Sequence, residues 1–595
     1  MNALGRAGKV FSTVFLHWNC SREGLAGQGL GSTDENELVK NRGFTALAYP
    51  PTLYPLYIHV SPQHISPLRY DESLMEVVIA VLILGAVAVA IAMVATGNAA
   101  RRRQERHRQE QEAAERRRLE ECGQTVLFFA NHLGYIARQV IDRDELDTLI
   151  DNGISAQDLA SEIGRRITEA EGLVLGYQSF GQSQVPVKLT QDYRDRHLYV
   201  VGKSGSGKTN LLRNLILQDV EAGSGLGVIA PEAELLTEEI LPFIPEHRID
   251  DVVYFNPVDT SCPVCFNPLY LEEGEDLDIK VDENLMIIRR VLGEAGPGME
   301  QLLRQALYAL TGQPGATLLD LERLLDRTDA TFRHEVIRSC ADAEVRHFWK
   351  DVYPGLPNDA HLPITNRLGR FVHSKAVRNV LCHPGASLNF GRAMDEGKIL
   401  LFNLSDGFLG EQNSQILGQL VVSKFQSAVM SRARQQKPQW QQFYLYIDEF
   451  QAFTGTSGAS YEKMLSRARK YKMGLILAHQ HTGQIPSDLL KEILGNVSTV
   501  VCFGVSRGDA QRFSREFITE CSGEILTVPE EEILRLKVGQ AWCKMGQHAF
   551  KMQTYLADQR SYPMRVQQVI GRSRQNYGSR LPVATVDAGG SRLPD

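Results

Sequence analysis

A short segment rich in glycine and serine has the residue spacing of a phosphate-binding loop. In "VVGKSGSGKTN", four residues separate Gly202 from Gly207, and Lys208 and Thr209 follow directly. Backbone N–H groups of such a loop surround phosphate oxygens at the positive end of a helix, the lysine reaches the β- and γ-phosphates, and the threonine ligates Mg²⁺. The spacing therefore predicts a site for ATP and Mg²⁺. The predicted nucleotide-binding residues are Gly202, Ser204, Gly205, Ser206, Gly207, Lys208, Thr209 and Asn210.

Two acidic residues follow an apolar segment much later in the chain. In "FYLYIDEFQAF", residues 443–447 are predicted to form a buried strand that ends at Asp448 and Glu449. Asp448 would join Thr209 as a Mg²⁺ ligand, and Glu449 would orient or deprotonate the water that attacks the γ-phosphate. An Asp-Glu pair alone is also typical of a solvated turn. The upstream phosphate loop favours the catalytic interpretation.

The segment "SRARKYKMGLILAHQHTGQIP" supplies two further polar candidates. Residues 474–478 are predicted to form a strand with His479 and Gln480 at its carboxyl end, where ligands bind in open α/β sheets. We predict that Gln480 senses the nucleotide through hydrogen bonds and that His479 is a structural or sensor group. Arg469, in the basic segment before the strand, would neutralise charge on the ATP of a neighbouring subunit. A solvated surface arginine is the alternative.

The elements that must position these residues alternate between strands and helices. Short apolar runs predict strands at residues 198–201, 225–229, 250–255, 398–404, 443–447 and 474–478. Such alternation is typical of an α/β fold with a parallel sheet. Residues 282–390 show only helical periodicity, which predicts an all-α insertion between two parts of the nucleotide-binding domain, residues 176–281 and 391–570.

An uninterrupted apolar run lies well before the phosphate loop. "VVIAVLILGAVAVAIAMVA", residues 77–95, has 19 apolar residues and is long enough to span the ~30 Å hydrocarbon layer. We predict a transmembrane helix within residues 74–97, with a buried core helix as the alternative. By the positive-inside rule, the basic residues after the run predict a single-pass inner-membrane protein with its nucleotide-binding domain in the cytoplasm. These residues are Arg101, Arg102, Arg103, Arg106 and Arg108.

The remaining segments complete the predicted domain organisation. Residues 1–73 are weakly periodic, and Met75, next to the apolar run, is an expected alternative start of translation. Residues 98–175 are predicted to form a charged stalk and a small helical region. A DNA-binding arm is less favoured there because interleaved glutamates weaken the positive field. Residues 571–595 lack periodicity and are predicted to be disordered.

Composition limits the class of protein. The 595 residues carry a net charge of −7, so the chain as a whole does not attract nucleic acid and any DNA contact must be local. Nine cysteines without regular spacing do not predict a disulfide framework. Cys262 and Cys265 have the spacing of half a zinc site, but no second pair follows them.

Together, these motifs resemble a known family. The phosphate loop, the helical insertion, "YIDEFQAF" and "LSRARKYKMGLILAHQHTGQI" with "ILGNVSTVVCFGVSRGDA" are similar to HerA/FtsK-type motor ATPases, within them the VirD-type (TraG/TraD-like) coupling proteins of conjugation and type IV secretion. The resemblance covers about residues 176–560. It implies a RecA-like P-loop motor that assembles as a homo-hexamer, binds ATP between subunits and drives DNA through a central channel. It also implies relaxase or relaxosome and secretion-channel partners.

The resemblance carries specific roles onto residues of this chain. It implies phosphate and Mg²⁺ contacts for Lys208 and Thr209, metal and water acids at Asp448 and Glu449, a sensor at Gln480 and a trans-acting arginine at Arg469. One segment departs from the family: an Asp-Pro-His-Gly-Asp-like stretch is replaced by "APEAEL", which leaves the roles of its glutamates open. Those glutamates are Glu232 and Glu234.

Channel-lining residues are not specified by the motifs. A loop at residues 454–460 and a basic surface are candidates, with an ordinary loop and a solvated helix face as the alternatives. The basic surface comprises Lys463, Arg467, Lys470 and Lys472. Two other functions remain open: a secretion ATPase that powers pilus assembly or protein export without DNA, and a nucleotide-gated membrane adaptor.

Overall fold

The structure, a computed structural model, describes residues 72–180, 183–272, 275–292, 296–385, 388–434, 440–455, 458–521, 524–555, 561–562 and 564–579. The predictions for residues 1–71 and 580–595, and part of the proposed loop at 454–460, lie outside these ranges. Residues 1–99 and residues 100–595 form two compact units.

The first helix, α1 (Glu72–Val140), contains the predicted transmembrane segment. Within the described residues, its portion Ile79–Ala130 is the one helical stretch long and apolar enough to cross a membrane, with a mean hydropathy of 2.8 in its most apolar window and none of that window buried. Large apolar side chains from Ile79 to Val94 are exposed. An exposed apolar surface of this size favours contact with lipid or another apolar partner.

Thirteen strands are described in the unit formed by residues 100–595. They are β1 (Leu173–Phe180), β2 (Ser183–Leu189), β3 (Leu198–Val201), β4 (Gly225–Ala230), β5 (Val252–Phe255), β6 (Ile399–Asn403), β7 (Phe443–Ile447), β8 (Met473–His479), β9 (Thr499–Cys502), β10 (Ile518–Cys521), β11 (Glu524–Thr527), β12 (Gln540–Met545) and β13 (His548–Gln553). Eleven of them form one sheet in the order β2-β1-β13-β12-β9-β3-β8-β7-β4-β6-β5. Strands β10 and β11 form a separate hairpin.

The part of the sheet from β9 to β5 is entirely parallel, as the α/β alternation predicts. Its strands are apolar throughout, and every residue of β3, β7 and β8 is buried. Continuous apolar strands are expected where helices cover both faces of a parallel sheet. Two clusters of buried apolar side chains, one on each face, form the core.

The helices on these faces are mostly short. After α1 they are α2 (Arg143–Asp151), α3 (Ala156–Glu169), α4 (Gln191–Arg194), α5 (Lys208–Glu221), α6 (Ala233–Thr237), α7 (Leu277–Leu292), α8 (Pro297–Leu310), α9 (Leu318–Leu325), α10 (Ala330–Ser339), α11 (Ala343–His347), α12 (Leu362–Val372), α13 (Lys375–Leu381), α14 (Phe390–Asp395), α15 (Asp406–Leu409), α16 (Glu411–Ser431), α17 (Ala459–Arg467), α18 (Ser487–Asn496), α19 (Arg507–Glu516), α20 (Glu530–Leu534) and α21 (Arg565–Tyr577). The described residues between β5 and β6 form helices α7 to α14 and no strand, which agrees with the predicted all-α insertion.

Two features of the fold differ from the sequence-based predictions. Strands β1, β2, β12 and β13 extend the sheet beyond β9 but were not predicted, because the predictions relied on continuous apolar runs and β12, for example, includes Gln540 and Lys544. The prediction of disorder from residue 571 is wrong for residues 571–577, which belong to α21. This helix packs beside the edge strand β5, where the Tyr254 N–H donates a 2.8 Å hydrogen bond to Ser573 Oγ.

Candidate nucleotide-binding site

The strand order brings three predicted polar segments to one edge of the sheet. Strand β8 lies between β3, which leads into the phosphate loop, and β7, which leads into the two acids. In the parallel register, Val201 pairs with His479 and Ile447 with Leu477. The carboxyl ends of all three strands therefore meet, with Gln480 placed between the phosphate loop and the acids.

The phosphate loop requires glycine for two different reasons. Gly205 and Gly207 have positive φ angles of 73° and 119°, a region that favours residues without a Cβ atom. Gly202 is constrained by packing, because a Cβ atom there would lie 2.6 Å from the Cβ of Phe503. The backbone can therefore turn tightly into α5, whose N-terminal N–H groups are available to an anion.

Three backbone hydrogen bonds fix this loop to other segments of the chain. The Gly539 N–H donates to the Ser206 carbonyl at 2.9 Å, the Lys203 N–H to Gly504 at 2.9 Å, and the Gly202 N–H to His479 at 3.3 Å. The supporting residues come from the last position of β8 and from the segments after β9 and before β12. Sequence motifs singled out His479 as a structural or sensor group but did not identify the support from Gly504 and Gly539, because no local pattern records a contact between segments hundreds of residues apart.

Lys208 lies at the first position of α5 and is almost completely buried. Its Nζ donates a 2.8 Å hydrogen bond to the Gly202 carbonyl and lies 3.6 Å from Glu449 Oε1. The ammonium group is thus held across the loop at a place where phosphate oxygens could replace or join its present acceptors. Thr209, next in the helix, is exposed, as is Ser204 in the loop.

The two acids are held differently. Asp448 is 5% exposed, and its N–H donates a 3.0 Å hydrogen bond to the Ile229 carbonyl of β4. Glu449 adopts a left-handed conformation, with φ of 43°, and the Gln451 amide donates a 2.8 Å hydrogen bond to its Oε2. A non-glycine residue in this region costs about 1–3 kcal/mol and is concentrated at functional sites. The strained turn directs the Glu449 carboxylate towards Lys208.

Electrostatics at this edge favour the binding of a cation. Burial, followed by the charge of Glu449, raises the pKa of Asp448 to about 7, and the charge of Lys208 acts in the opposite direction. Glu232, from the "APEAEL" segment at the carboxyl end of β4, adds to the same negative field. A divalent ion near Asp448 would relieve this repulsion. The segment that departs from the family pattern therefore places a third carboxylate near the acids.

Thr209 and Asp448 offer two oxygen ligands to the predicted Mg²⁺ ion. Mg²⁺ commonly takes one or two protein oxygens together with phosphate and water, so a bound nucleotide and water would supply the remaining ligands. Within the described ranges, no group of three or more His, Cys, Asp or Glu residues is arranged to hold a metal ion. Cys262 and Cys265 are free thiols in this structure.

Asn210, also predicted to bind the nucleotide, is engaged elsewhere. Its amide donates a 2.8 Å hydrogen bond to the Tyr555 carbonyl, and Asn214 donates to the same oxygen. These bonds fasten α5 to the segment that follows β13. The Asn210 side chain therefore positions the phosphate-loop helix, and any nucleotide contact it makes would come from its backbone.

The predicted sensor and the predicted trans-acting arginine lie at opposite edges of the sheet. Gln480 is half-buried at the carboxyl end of β8. Arg469 is exposed in the turn Ala468–Tyr471, before the amino end of the same strand. Burial raises the pKa of Asp195, at the amino end of β3, and the charge of Arg469 acts in the opposite direction, so these two residues are neighbours. Arg469 does not join Lys208 and the acids within one chain.

The fold and this edge of the sheet define a P-loop NTPase fold with a RecA-like parallel core, in agreement with the predicted fold class. No protein-family model and no curated protein matches the chain.

Several solved structures are similar to it, and at these identities the likeness concerns the fold alone. They include the plasmid coupling protein TrwB with a non-hydrolysable ATP analogue (15% identity, TM-score 0.48, 67% of this chain and 93% of that chain). The same protein with ADP and Mg²⁺ has 15% identity and a TM-score of 0.46, covering 68% of this chain and 94% of TrwB. VirB4 of Thermoanaerobacter pseudethanolicus has 17% identity and a TM-score of 0.46, covering 67% of this chain and 98% of VirB4. TrwB is described as a bacterial conjugative coupling protein, the class that the sequence motifs resemble.

Proposed function

We propose that this protein is a membrane-anchored ATPase that drives DNA towards a conjugative or type IV secretion channel. The observation that carries the ATPase part is the 3.6 Å separation between Lys208 Nζ and Glu449 Oε1, next to Asp448, at the carboxyl ends of neighbouring strands. The ion pair places the lysine of the phosphate loop beside the strand-end glutamate, where an entering γ-phosphate would become the partner of Lys208 and would lie next to Glu449.

Each side chain would have a separate role in hydrolysis. Lys208 and the N–H groups of the loop would bind phosphate oxygens, and Thr209 with Asp448 would hold Mg²⁺, which neutralises phosphate charge when bound. Glu449 would orient the attacking water and accept its proton. Gln480, between the loop and the acids, would detect the γ-phosphate. Catalysis would come mainly from positioning and from charge stabilisation.

Assembly is part of the proposal because the site is incomplete in one chain. Arg469 lies at the amino-end edge of the sheet, so it could stabilise transferred charge only on an ATP bound to a neighbouring subunit. A closed homo-hexameric ring satisfies this requirement with one repeated interface. Relaxase or relaxosome proteins and channel proteins are the proposed partners, and the inner membrane is the proposed location.

The DNA part rests on the motif resemblance and on local positive charge. Lys463, Arg467 and Lys470 are exposed on or just after α17, although the whole chain is acidic. In a ring, a few basic residues per subunit would be repeated around a channel and would contact successive phosphates. Lys472 is a weaker candidate, since its ammonium group donates a 3.2 Å hydrogen bond to the Trp440 carbonyl.

The test is ATP hydrolysis by the full chain in lipid nanodiscs, with and without single- and double-stranded DNA. We expect Lys208→Ala to abolish hydrolysis and Glu449→Gln to lower kcat by about 10²- to 10⁴-fold while nucleotide binding persists. Lys491→Ala is the matched control, because this exposed lysine pairs only with Asp488 on the surface of α18.

The outcomes distinguish the proposed function from its competitors. DNA-stimulated hydrolysis that disappears in Lys208→Ala supports a DNA motor. Hydrolysis that DNA does not change would favour a secretion ATPase that powers pilus assembly or protein export. Binding of nucleotide with negligible turnover, and DNA transfer that survives Glu449→Gln, would favour a nucleotide-gated membrane adaptor and overturn the proposal.

A further inference from the structure

A buried histidine connects all three parts of the candidate site. We infer that His479 is a positioning residue: its hydrogen bond to Tyr199 and its packing against Phe450 fix the phosphate loop, the catalytic acid and Gln480 relative to one another. This inference deepens the proposed ATPase function and rests on it. His479 is completely buried at the last position of β8.

The first connection is to the phosphate loop. The His479 carbonyl accepts the 3.3 Å hydrogen bond from the Gly202 N–H, at the first glycine of the loop. Its ring Nε2 lies 2.5 Å from the hydroxyl of Tyr199, which is completely buried in the strand that leads into that loop. Backbone and side chain of one residue thus hold the same strand, which restricts sliding of β3 against β8.

The second connection is to the catalytic acid. The His479 ring packs edge to face on the ring of Phe450, with centroids 5.0 Å apart. Phe450 is fully buried and follows Glu449 directly, so its position constrains the left-handed turn that aims the carboxylate at Lys208. Aromatic pairs with this geometry have a preferred orientation in addition to the area that they bury.

The third connection is through the chain to Gln480. The residues beyond Gln480 form a turn, Thr482–Gln484, which is fastened to α19: the hydroxyl and the N–H of Thr482 both donate to the Asp509 carboxylate. Gln480 therefore lies between two anchored points, His479 on one side and Thr482 on the other. A shift of the His479 ring would be passed to the predicted sensor.

The imidazole ring of His479 is uncharged in this positioning role. Burial lowers the pKa of His479 to about 3, so the imidazole is neutral in the whole range in which proteins are ordinarily active. A neutral ring can serve as a hydrogen-bond partner for the Tyr199 hydroxyl and as an apolar surface for Phe450. The inference therefore concerns geometry and not acid–base catalysis.

The chain contains a matched control at the opposite end of the same pair of strands. His197 is also buried, its pKa is lowered to about 4 by burial, and it has hydrogen bonds with the Leu465 carbonyl and the Leu475 N–H. It lies before the amino end of β3, away from the phosphate loop. The two histidines share burial, neutrality and hydrogen bonding but differ in their distance from the site.

The experiment compares full-length variants in nanodiscs. We expect His479→Phe and Tyr199→Phe each to lower kcat about tenfold or more with little change in the Kd of a fluorescent ATP analogue, because a small misplacement of reacting groups affects turnover most. The double variant should be no slower than the slower single variant, since both remove one hydrogen bond. His479→Gln, which places an amide near the Nε2 position, should restore part of the activity.

The control and a second measurement decide the outcome. His197→Phe should lower the unfolding midpoint without loosening the phosphate loop, since its hydrogen bonds lie at the amino ends of the strands. Hydrogen exchange of the amides at residues 202–208 should become faster in His479→Phe and not in His197→Phe. Equal behaviour of the two variants in this measurement would overturn the inference. Because hydrogen exchange needs no turnover, it still tests the inference if the wild-type protein fails to hydrolyse ATP and the proposed function is wrong.

Discussion

The two edges of the parallel sheet use their polar residues in opposite ways. At the carboxyl-end edge, Lys208 meets loop carbonyls and Glu449, and the pKa of Asp448 is raised by burial and by a neighbouring negative charge. At the amino-end edge, Arg194 and Asp219 form a buried ion pair, and the Tyr446 hydroxyl donates to the same carboxylate. The first edge holds polar groups whose interactions a ligand would improve. The second edge holds an ion pair whose opposite charges compensate one another within the chain.

Helix α5 joins these two edges. It begins at Lys208 beside the phosphate loop and carries Asp219 near its other end, where Arg194 stacks on the ring of Tyr444 at 3.1 Å. Substitutions at opposite ends of one helix should therefore separate catalysis from stability. A ligand-binding edge that is left incompletely satisfied is expected, because binding energy becomes available only when the ligand supplies the missing partners.

The largest expected effect tests whether Arg469 acts across subunits. Lys208→Ala and Arg469→Ala should each reduce hydrolysis, the latter by about 10³-fold if Arg469 stabilises the transition state. When the two variants are mixed before assembly, about a quarter of the interfaces in a ring should combine an intact Lys208 with an intact Arg469. We expect measurable recovery of ATPase activity in the mixture.

One outcome of the mixing experiment would contradict a role for Arg469 across subunits. If the mixture is no more active than the average of its two components, Arg469 acts within its own chain or not at all. Arg196→Ala, at an exposed position before the amino end of β3, provides the control for loss of positive charge at the same edge. It should keep the basal rate of hydrolysis.

The second prediction concerns the amino-end edge. Asp219→Asn leaves Arg194 buried without a counter-charge, which should lower the free energy of unfolding by about 3–5 kcal/mol. Because this pair lies far along α5 from the phosphate loop, kcat per folded molecule should stay near the wild-type value. Urea unfolding and ATPase assays on the same preparation measure both quantities. A large fall in kcat without a fall in stability would contradict the separation of the two edges.

The sequence predicted the main residues of the candidate site but not the contacts that support them. Lys208, Asp448 and Glu449 were found because each motif is local: an apolar strand followed by a loop with fixed chemistry. The contact between the motifs follows from strand order, which the resemblance implied. The support for the phosphate loop from Phe503 and Gly539, and the pairing of Tyr199 with His479, have no local signal. They depend on which strands become neighbours.

The third prediction uses the titration of Asp448 in the protein free of nucleotide and metal. Its pKa is raised by burial from the usual 3.8 to about 7, so the folded protein binds this proton more tightly than the unfolded chain. The contribution of the protonated carboxyl to stability is full below about pH 4 and is lost as pH rises to about 7. Over this window the wild type should lose about 2–4 kcal/mol relative to Asp448→Asn, which cannot ionise.

Thermal or chemical unfolding in the presence of EDTA at several pH values provides the measurement. The comparison with Asp448→Asn removes the contributions of the other carboxyl groups, which both proteins share. A difference between the two proteins that is constant from pH 4 to pH 7 would mean that Asp448 ionises normally. Burial and the neighbouring negative charge would then not favour the binding of a cation at Asp448.

The smallest expected effect concerns the packing of the turn that follows Glu449. Phe453, buried in the turn Phe450–Phe453 after Glu449, packs directly on Gly418 of α16, and a Cβ atom at Gly418 would overlap its ring. Gly418→Ala should therefore displace the turn and lower the free energy of unfolding by about 1–3 kcal/mol. The displacement should also lower kcat, because the turn carries the strained backbone that aims Glu449 at Lys208.

The control for this substitution is another helical glycine. At Gly495, in α18, a Cβ atom would meet no other atom within 4 Å, so Gly495→Ala should leave kcat unchanged and stabilise the helix by up to about 1 kcal/mol. Opposite signs of the two stability changes would show that the cost at Gly418 comes from Phe453 and not from alanine in a helix. If both variants gain stability, Phe453 can move freely, and the position of Glu449 must be maintained by His479 and Gln451 alone.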